Sequence, residues 1–129
     1  MEPIRLVFMG TPDLAATCLA ALLPSPALRL VGVVSQPDRP KGRDLKLVPT
    51  PVKALALQHN LPVLQPERAR AENFLHELAA WQPDLIAVAA FGQILPQSIL
   101  DLPRFGCLNV HTSLLPRWRG ASPIQSALL

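Results

Sequence analysis

Asn109 and His111 stand two residues apart at the end of a short apolar segment, residues 107–110, and residues i and i+2 of an extended chain face the same way. If the strand runs on to His111, a carboxamide and an imidazole address one reacting atom. Acyl transfer asks for such a pair. One group donates a hydrogen bond to the oxygen that turns negative at the tetrahedral centre, and the other handles the proton that the leaving nitrogen needs. Taken alone, the two residues read more simply as a turn asparagine and an exposed strand-end histidine. The Pro- and Gly-rich stretch that follows, up to Gly120, favours a site, because α/β folds build pockets in loops beyond the carboxyl ends of their strands.

The preceding sequence supplies elements able to position such a pair. Residues 4–9 are apolar throughout, as in a strand covered on both faces. Gly10 breaks the run. Thr11 is expected to cap the next helix, and Pro12 to occupy its first position, where a missing N–H costs nothing. Leu14, Cys18 and Leu22, flanked by Ala15 and Leu19, repeat at helical spacing and predict a helix ending at Leu23, before Pro24. Residues 28–35 predict a second strand, reached by a right-handed crossover.

A polar loop is expected over residues 36–49. Thr50-Pro51 then opens a short helix to about Gln58, with Val52, Leu55 and Ala56 inward. Residues 62–64 suggest a small strand, and Phe74, Leu75, Leu78 and Trp81 stripe a helix beginning near Ala69. Residues 85–90 are the most hydrophobic and belong in mid-sheet. A short helix over 96–100 leads to the strand 107–110, and a further helix is expected from Ser122. The fold class is α/β: a Rossmann-like doubly wound, mostly parallel sheet with helices on both faces. Ile124, Ala127, Leu128 and Leu129 give the last helix an apolar face with no strand to return to, which implies truncation before the last strands.

Composition agrees with one globular domain. The chain has 129 residues, half of them hydrophobic and 16% charged, with no repeat or low-complexity run. Its formal charge of +3 is too small to argue for nucleic acid alone, so the distribution matters more. Arg39, Lys41, Arg43 and Lys46 share one loop with two acids, Asp38 and Asp44. Cys18 and Cys107 read as reduced thiols. The scattered histidines and cysteines lack ligand spacing, so no metal is expected. Gly10-Thr11-Pro12 lacks the G-x-G-x-x-G pattern and reads as a tight strand-to-helix turn, with no dinucleotide implied. The apolar run 14–23 follows an acid and a strand and is too short to span a bilayer, so a soluble, cytoplasmic protein without a membrane partner is expected, monomeric by preference.

The stretch Asn109-x-His111-x-Ser113-Leu114-Leu115-Pro116, followed by Arg117-x-x-Gly120, resembles the signature of formyltransferases that use 10-formyltetrahydrofolate. Gly10-Thr11-Pro12-Asp13, Gln36-Pro37-Asp38-Arg39-Pro40-x-Gly42-Arg43, Pro51-Val52-Lys53 and Phe91-Gly92-x-Ile94-Leu95-Pro96 extend the resemblance along nearly the whole chain. The run Arg117-Trp118-Arg119-Gly120-Ala121-Ser122-Pro123-Ile124-Gln125 is most similar to the branch that formylates initiator methionyl-tRNA for translation initiation.

The resemblance implies several roles. Asn109 would help hold the oxyanion, and His111, protonated, would do the same while taking part in proton movement. Phe91, Gly92, Gln93, Ile94 and Leu95, with Ser113, Leu114, Leu115 and Pro116, would form the folate-binding loops. Arg39, Lys41, Arg43 and Lys46 would contact tRNA, with Arg43 the best match, although Asp44-Leu45 departs from the more basic or Gly-bearing sequences of the family. The family's catalytic aspartate lies a few dozen residues beyond the histidine, and none of Asp13, Asp38, Asp44, Asp84 or Asp101 matches its motif. Residues 1–129 are therefore expected to form an N-terminal formyl-folate-binding domain, incomplete at its C-terminal end, without the family's C-terminal β-barrel and nearly inactive alone. Other readings stay open: the same chemistry on a purine precursor or nucleotide sugar, hydrolysis of the formyl-folate, or a noncatalytic folate-binding module.

Overall fold

Alternate side chains of β1 (Ile4–Gly10) fall on opposite faces, and both faces are closed: Leu6 and Phe8 on one side, Val7 and Met9 on the other, are at most 1% exposed. Such a strand has to be central. The computed structural model, which describes residues 2–110, places it so.

The chain continues as α1 (Asp13–Leu22), β2 (Leu28–Val34), β3 (Arg39–Lys41), β4 (Lys46–Val48), α2 (Pro51–Gln58), β5 (Val63–Leu64), α3 (Glu72–Ala80), β6 (Leu85–Ala89), α4 (Gln97–Leu100) and β7 (Cys107–Asn109). Five strands form one sheet in the order β5-β2-β1-β6-β7, with every neighbouring pair parallel.

Helices cover both faces of that sheet. Leu6, Phe8, Val33 and Ala87 pack with Ala15, Cys18 and Leu19 of α1 and with Val52 and Ala56 of α2. On the other face Val7, Met9, Val34 and Ile86 pack with Phe74 and Leu78 of α3 and Ile99 of α4. The chain winds outward from β1 through β2 to β5, then returns to the other side of β1 for β6 and β7. The order therefore reverses between β1 and β6, and the crevice at such a switch point is where open α/β sheets bind ligands.

Local reasoning held where the partners are local. Thr50 caps α2, its Oγ1 accepting from the Lys53 N–H at 3.1 Å, with Pro51 at the first position. Three expectations are corrected. Thr11 does not cap α1: Pro12 is the cap residue, and the Thr11 hydroxyl is engaged by distant segments. The stripe near Ala69 becomes helix only at Glu72, because Ala71 is extended (φ −66°, ψ 135°) and stands as the cap residue; the Ala69 N–H before it is held at 2.7 Å by Gln93 Oε1 from another loop. The polar loop of residues 36–49 contains an antiparallel hairpin, β3 paired with β4, closed by a turn in which Gly42 (φ 77°) and Leu45 (φ 51°) are left-handed and the Leu45 N–H donates to Gly42 O at 3.3 Å. No alternating apolar pattern marks these strands, since all six residues are exposed; turn geometry sets their register. The signature loop after Val110 and the helix expected from Ser122 lie outside the described residues.

Candidate functional site

Gly10 and Ala89 are register partners at the carboxyl ends of β1 and β6, so the crevice opens beyond them. There the Thr11 hydroxyl donates to Phe91 O at 2.8 Å and accepts from the Gln36 N–H at 3.4 Å, while Thr11 O accepts from the Val52 N–H at 3.4 Å. One residue thus ties together the loops after β1, β2 and β6 and the start of α2. The chain leaves β6 through Ala90 (φ 51°) and Gly92 (φ 97°). An alanine held left-handed costs about 1 kcal/mol, strain that the bonds around Phe91 offset.

Asn109 ends β7 opposite Val88, is exposed, and is held in register by the Val110 N–H donating to Val88 O at 2.7 Å. It lies on a cleft of about 300 Å³ whose other walls are Val88, Gln93, Leu95, Leu100, Cys107 and Leu108. The structure therefore brings together three sequence-predicted residues, Asn109, Gln93 and Leu95. The floor is apolar, and burial, aided by Asp101, pushes the Cys107 thiol up to about 11, which keeps it protonated.

The remaining predicted residues divide by their surroundings. Phe91 is 2% exposed and its ring belongs to the core, so at the surface the residue offers only backbone. Gly92 is exposed and Ile94 is 94% exposed. Both line a second cleft of about 660 Å³ together with Arg68, Ala69, Arg70, Gln93 and Pro96. Arg68 and Arg70 escaped the sequence reading because no motif joins them to residues more than twenty positions away. His111, Ser113, Leu114, Leu115 and Pro116 lie outside the described residues. Among the described residues no three His, Cys, Asp or Glu side chains gather to hold a metal ion, and no helix is long and apolar enough to cross a membrane.

Arg39, Lys41, Arg43 and Lys46 are all exposed on the hairpin that rises from the carboxyl end of β2. Of the two acids beside them, Asp38 faces inward to other partners. Gln65 Nε2 donates to it at 2.7 Å and Lys53 Nζ at 3.0 and 3.1 Å, and these bonds hold its carboxyl below the ordinary value. Asp44 alone opposes the four positive charges on the hairpin itself. Beneath it the buried hydroxyls of Ser35 and Thr50 bond to each other, joining the end of β2 to the start of α2.

These features coincide with likenesses to known proteins. Over 127 residues the chain is 61% identical to a methionyl-tRNA formyltransferase of Pseudomonas savastanoi pv. phaseolicola (strain 1448A / Race 6), covering 98% of this chain and 40% of that protein. It is 58% identical to one from Stutzerimonas stutzeri (strain A1501), with the same coverage. The chain thus spans about 40% of the length of the curated relatives it matches. Among solved structures, glycinamide ribonucleotide transformylase 1 from Geobacillus kaustophilus superposes with a TM-score of 0.60 at 25% identity, covering 98% of this chain and 67% of that one. The formyl transferase family model matches residues 4–129. With a family pattern running through all seven strands and the crevice they enclose, this chain belongs to the formyl transferase family.

Proposed function

We propose that the chain forms the N-terminal, formyl-donor-binding part of a cytoplasmic, monomeric enzyme that moves a formyl group from 10-formyltetrahydrofolate to the α-amino group of methionine on initiator methionyl-tRNA. The observation that carries this reading is Asn109: an exposed carboxamide at the end of β7, on an apolar cleft walled by Gln93 and Leu95, in a formyl transferase chain. Leu95, Leu100 and Leu108 cover the faces of the pterin, and backbone groups of residues 91–95 and 113–116 read its edge. Arg68 and Arg70, beside the same loop, supply positive charge for the carboxylates of the donor's tail.

The attacking amine forms a C–N bond to the formyl carbon, and the carbonyl oxygen gains negative charge. Asn109 donates a hydrogen bond to that oxygen. His111, protonated, does the same and takes part in moving to N10, as its bond to the formyl carbon breaks, the proton that the attacking amine gives up. Arg39, Lys41, Arg43 and Lys46 meet phosphates of the acceptor, and this electrostatic contact weakens with salt.

The test is formyl transfer by the enzyme that carries this chain. Asn109→Ala lowers kcat by about 10²–10³ with KM for the tRNA nearly unchanged, the loss of one oxyanion donor. A variant retaining wild-type turnover refutes the role of Asn109. Failure of aminoacylated initiator tRNA to bind at low salt points instead to a small amine acceptor such as a purine precursor. Residues 1–129 by themselves turn over negligibly, and normal turnover by that piece overturns the domain reading.

A further inference from the structure

Loops leave the carboxyl edge of the sheet after β1, β2, β5 and β6, and one residue, through its backbone and its side chain, joins them. Gln36 follows Ser35 at the end of β2 and begins the stretch that becomes the basic hairpin. Its Oε1 accepts from Gln93 Nε2 at 2.9 Å, its backbone N–H donates to Thr11 Oγ1 at 3.4 Å, and its carbonyl accepts from Gln65 Nε2 at 3.1 Å.

Backbone partners decide which way the amide of Gln93 points. Its Oε1 accepts from the Ala69 N–H at 2.7 Å and its Nε2 donates one hydrogen to Pro66 O at 3.0 Å, which fixes the amide so that the second Nε2 hydrogen faces Gln36. Gln65 Nε2 likewise serves two acceptors, Gln36 O and Asp38 Oδ1. The loop makes room for this bridge. A Cβ on Gly92 would stand 2.8 Å from Gln36 Nε2, and the φ of 97° at that position disfavours a side chain in any case.

From these contacts we propose that Gln36 is a positioning residue whose carboxamide couples the basic hairpin to the 91–95 loop, so that ordering either one orders the other. The functional consequence rests on the reading of the hairpin as a tRNA contact and the loop as a donor contact, and extends it by assigning how the two communicate. A partner bound across Arg39–Lys46 restrains Asp38 and Gln36. Gln93 is restrained in turn, and with it the wall of the cleft beside Asn109. The second ligand then meets a loop already ordered and binds more tightly, with equal effect in the reverse direction.

Amide hydrogen exchange on the whole chain without ligand tests the coupling apart from the activity. In Gln93→Met the bridge is lost, and amides of β3 and β4, which Gln93 does not touch, exchange about three- to tenfold faster. Gln36→Met gives the reciprocal result at Ala69 and residues 91–95, and the double variant exchanges no faster than the faster single at any of these amides. Gln36→Glu keeps protection of both segments near wild type, because its carboxylate still accepts from Gln93 Nε2, and that retention separates loss of the bridge from a merely structural effect of substitution at residue 36. Hairpin amides at wild-type rates in Gln93→Met overturn the proposal, as does additivity of the two substitutions. Should Gln93→Met unfold the chain, Gln36→Met reads the same coupling from the other side, with its backbone bonds to Thr11 and Gln65 intact. Coupled exchange in an enzyme that transfers no formyl group would leave the bridge standing and remove only its proposed use.

Discussion

Replacing Gly10 by alanine tests whether the turn after β1 sets the geometry of the loops around the crevice. An added Cβ would stand 2.7 Å from Ala89 O, 2.8 Å from Ala15 Cβ and 2.8 Å from Phe8 Cε2. None of these neighbours yields easily. Ala89 is the register partner of Gly10 in β6, and Phe8 and Ala15 are fully buried.

Non-bonded carbon atoms prefer about 3.5–4.0 Å, so the ends of β1 and β6 must part by roughly half an ångström or more. Overpacking of a rigid site costs about 1–3 kcal/mol, and three simultaneous contacts place Gly10→Ala at the upper end. The smaller unfolded-state entropy of alanine returns about 0.4–1 kcal/mol, leaving a net loss of about 2–3 kcal/mol. At about 4 °C per kcal/mol for 129 residues, the melting midpoint falls by about 8–12 °C. Thermal and urea unfolding followed by far-UV circular dichroism measure this, with the urea slope unchanged. A midpoint within about 1 °C of wild type would refute the claim that backbone contact at Gly10 holds the two strand ends together.

Asp38 gives a pH test. Bonds from Gln65 and Lys53 hold its folded pKa below the ordinary value, so its stabilisation is complete above the unfolded carboxylate pKa and disappears as pH falls through the folded one. Asp38→Asn should therefore melt earlier than wild type at neutral pH, and the two curves should converge in acid; a constant gap down to that range would contradict the ion pair. Cys107, with its thiol pushed up to about 11, should react with iodoacetamide at pH 8 about a hundredfold more slowly than a free thiol of ordinary pKa. Rapid alkylation in the folded chain would show that its surroundings are more open than described. The proposed tRNA contact predicts that Arg43→Ala, in the enzyme that carries this chain, reduces the slope of log affinity for initiator tRNA against log salt by about one; an unchanged slope would take that guanidinium off the phosphates.

What could be read from the chain by itself was whatever its near neighbours decide. The doubly apolar run of β1, the helical stripe of α1 and the Thr50-Pro51 start of α2 each depend on contacts with a sheet face or with the next turn, and residue type at short spacing reports those. The parallel, doubly wound class of the sheet followed from alternation and handedness, and the candidate pair at residues 109 and 111 from spacing along one strand. Asn109 at a strand end was legible in this way, whereas Gln93 and Leu95, which stand beside it, were candidates only through the family resemblance.

Tertiary structure alone decided the rest, because hydrogen-bonding side chains go to whichever partner the fold brings near. Thr11 has the type and place of a cap, yet its hydroxyl serves a carbonyl 80 residues away. Ala69 opens a helical stripe, yet an extended Ala71 puts the helix start at Glu72 and the Ala69 N–H goes to Gln93 of another loop. Phe91 sits in a loop motif, yet its ring completes the core. The residues of the basic segment show no strand pattern, and only the turn at Gly42 and Leu45 makes them a hairpin. Burial and periodicity are properties of a short window of sequence; a bond across 57 positions, such as that between Gln36 and Gln93, exists only after β1 has gathered β2 and β6 on either side of it.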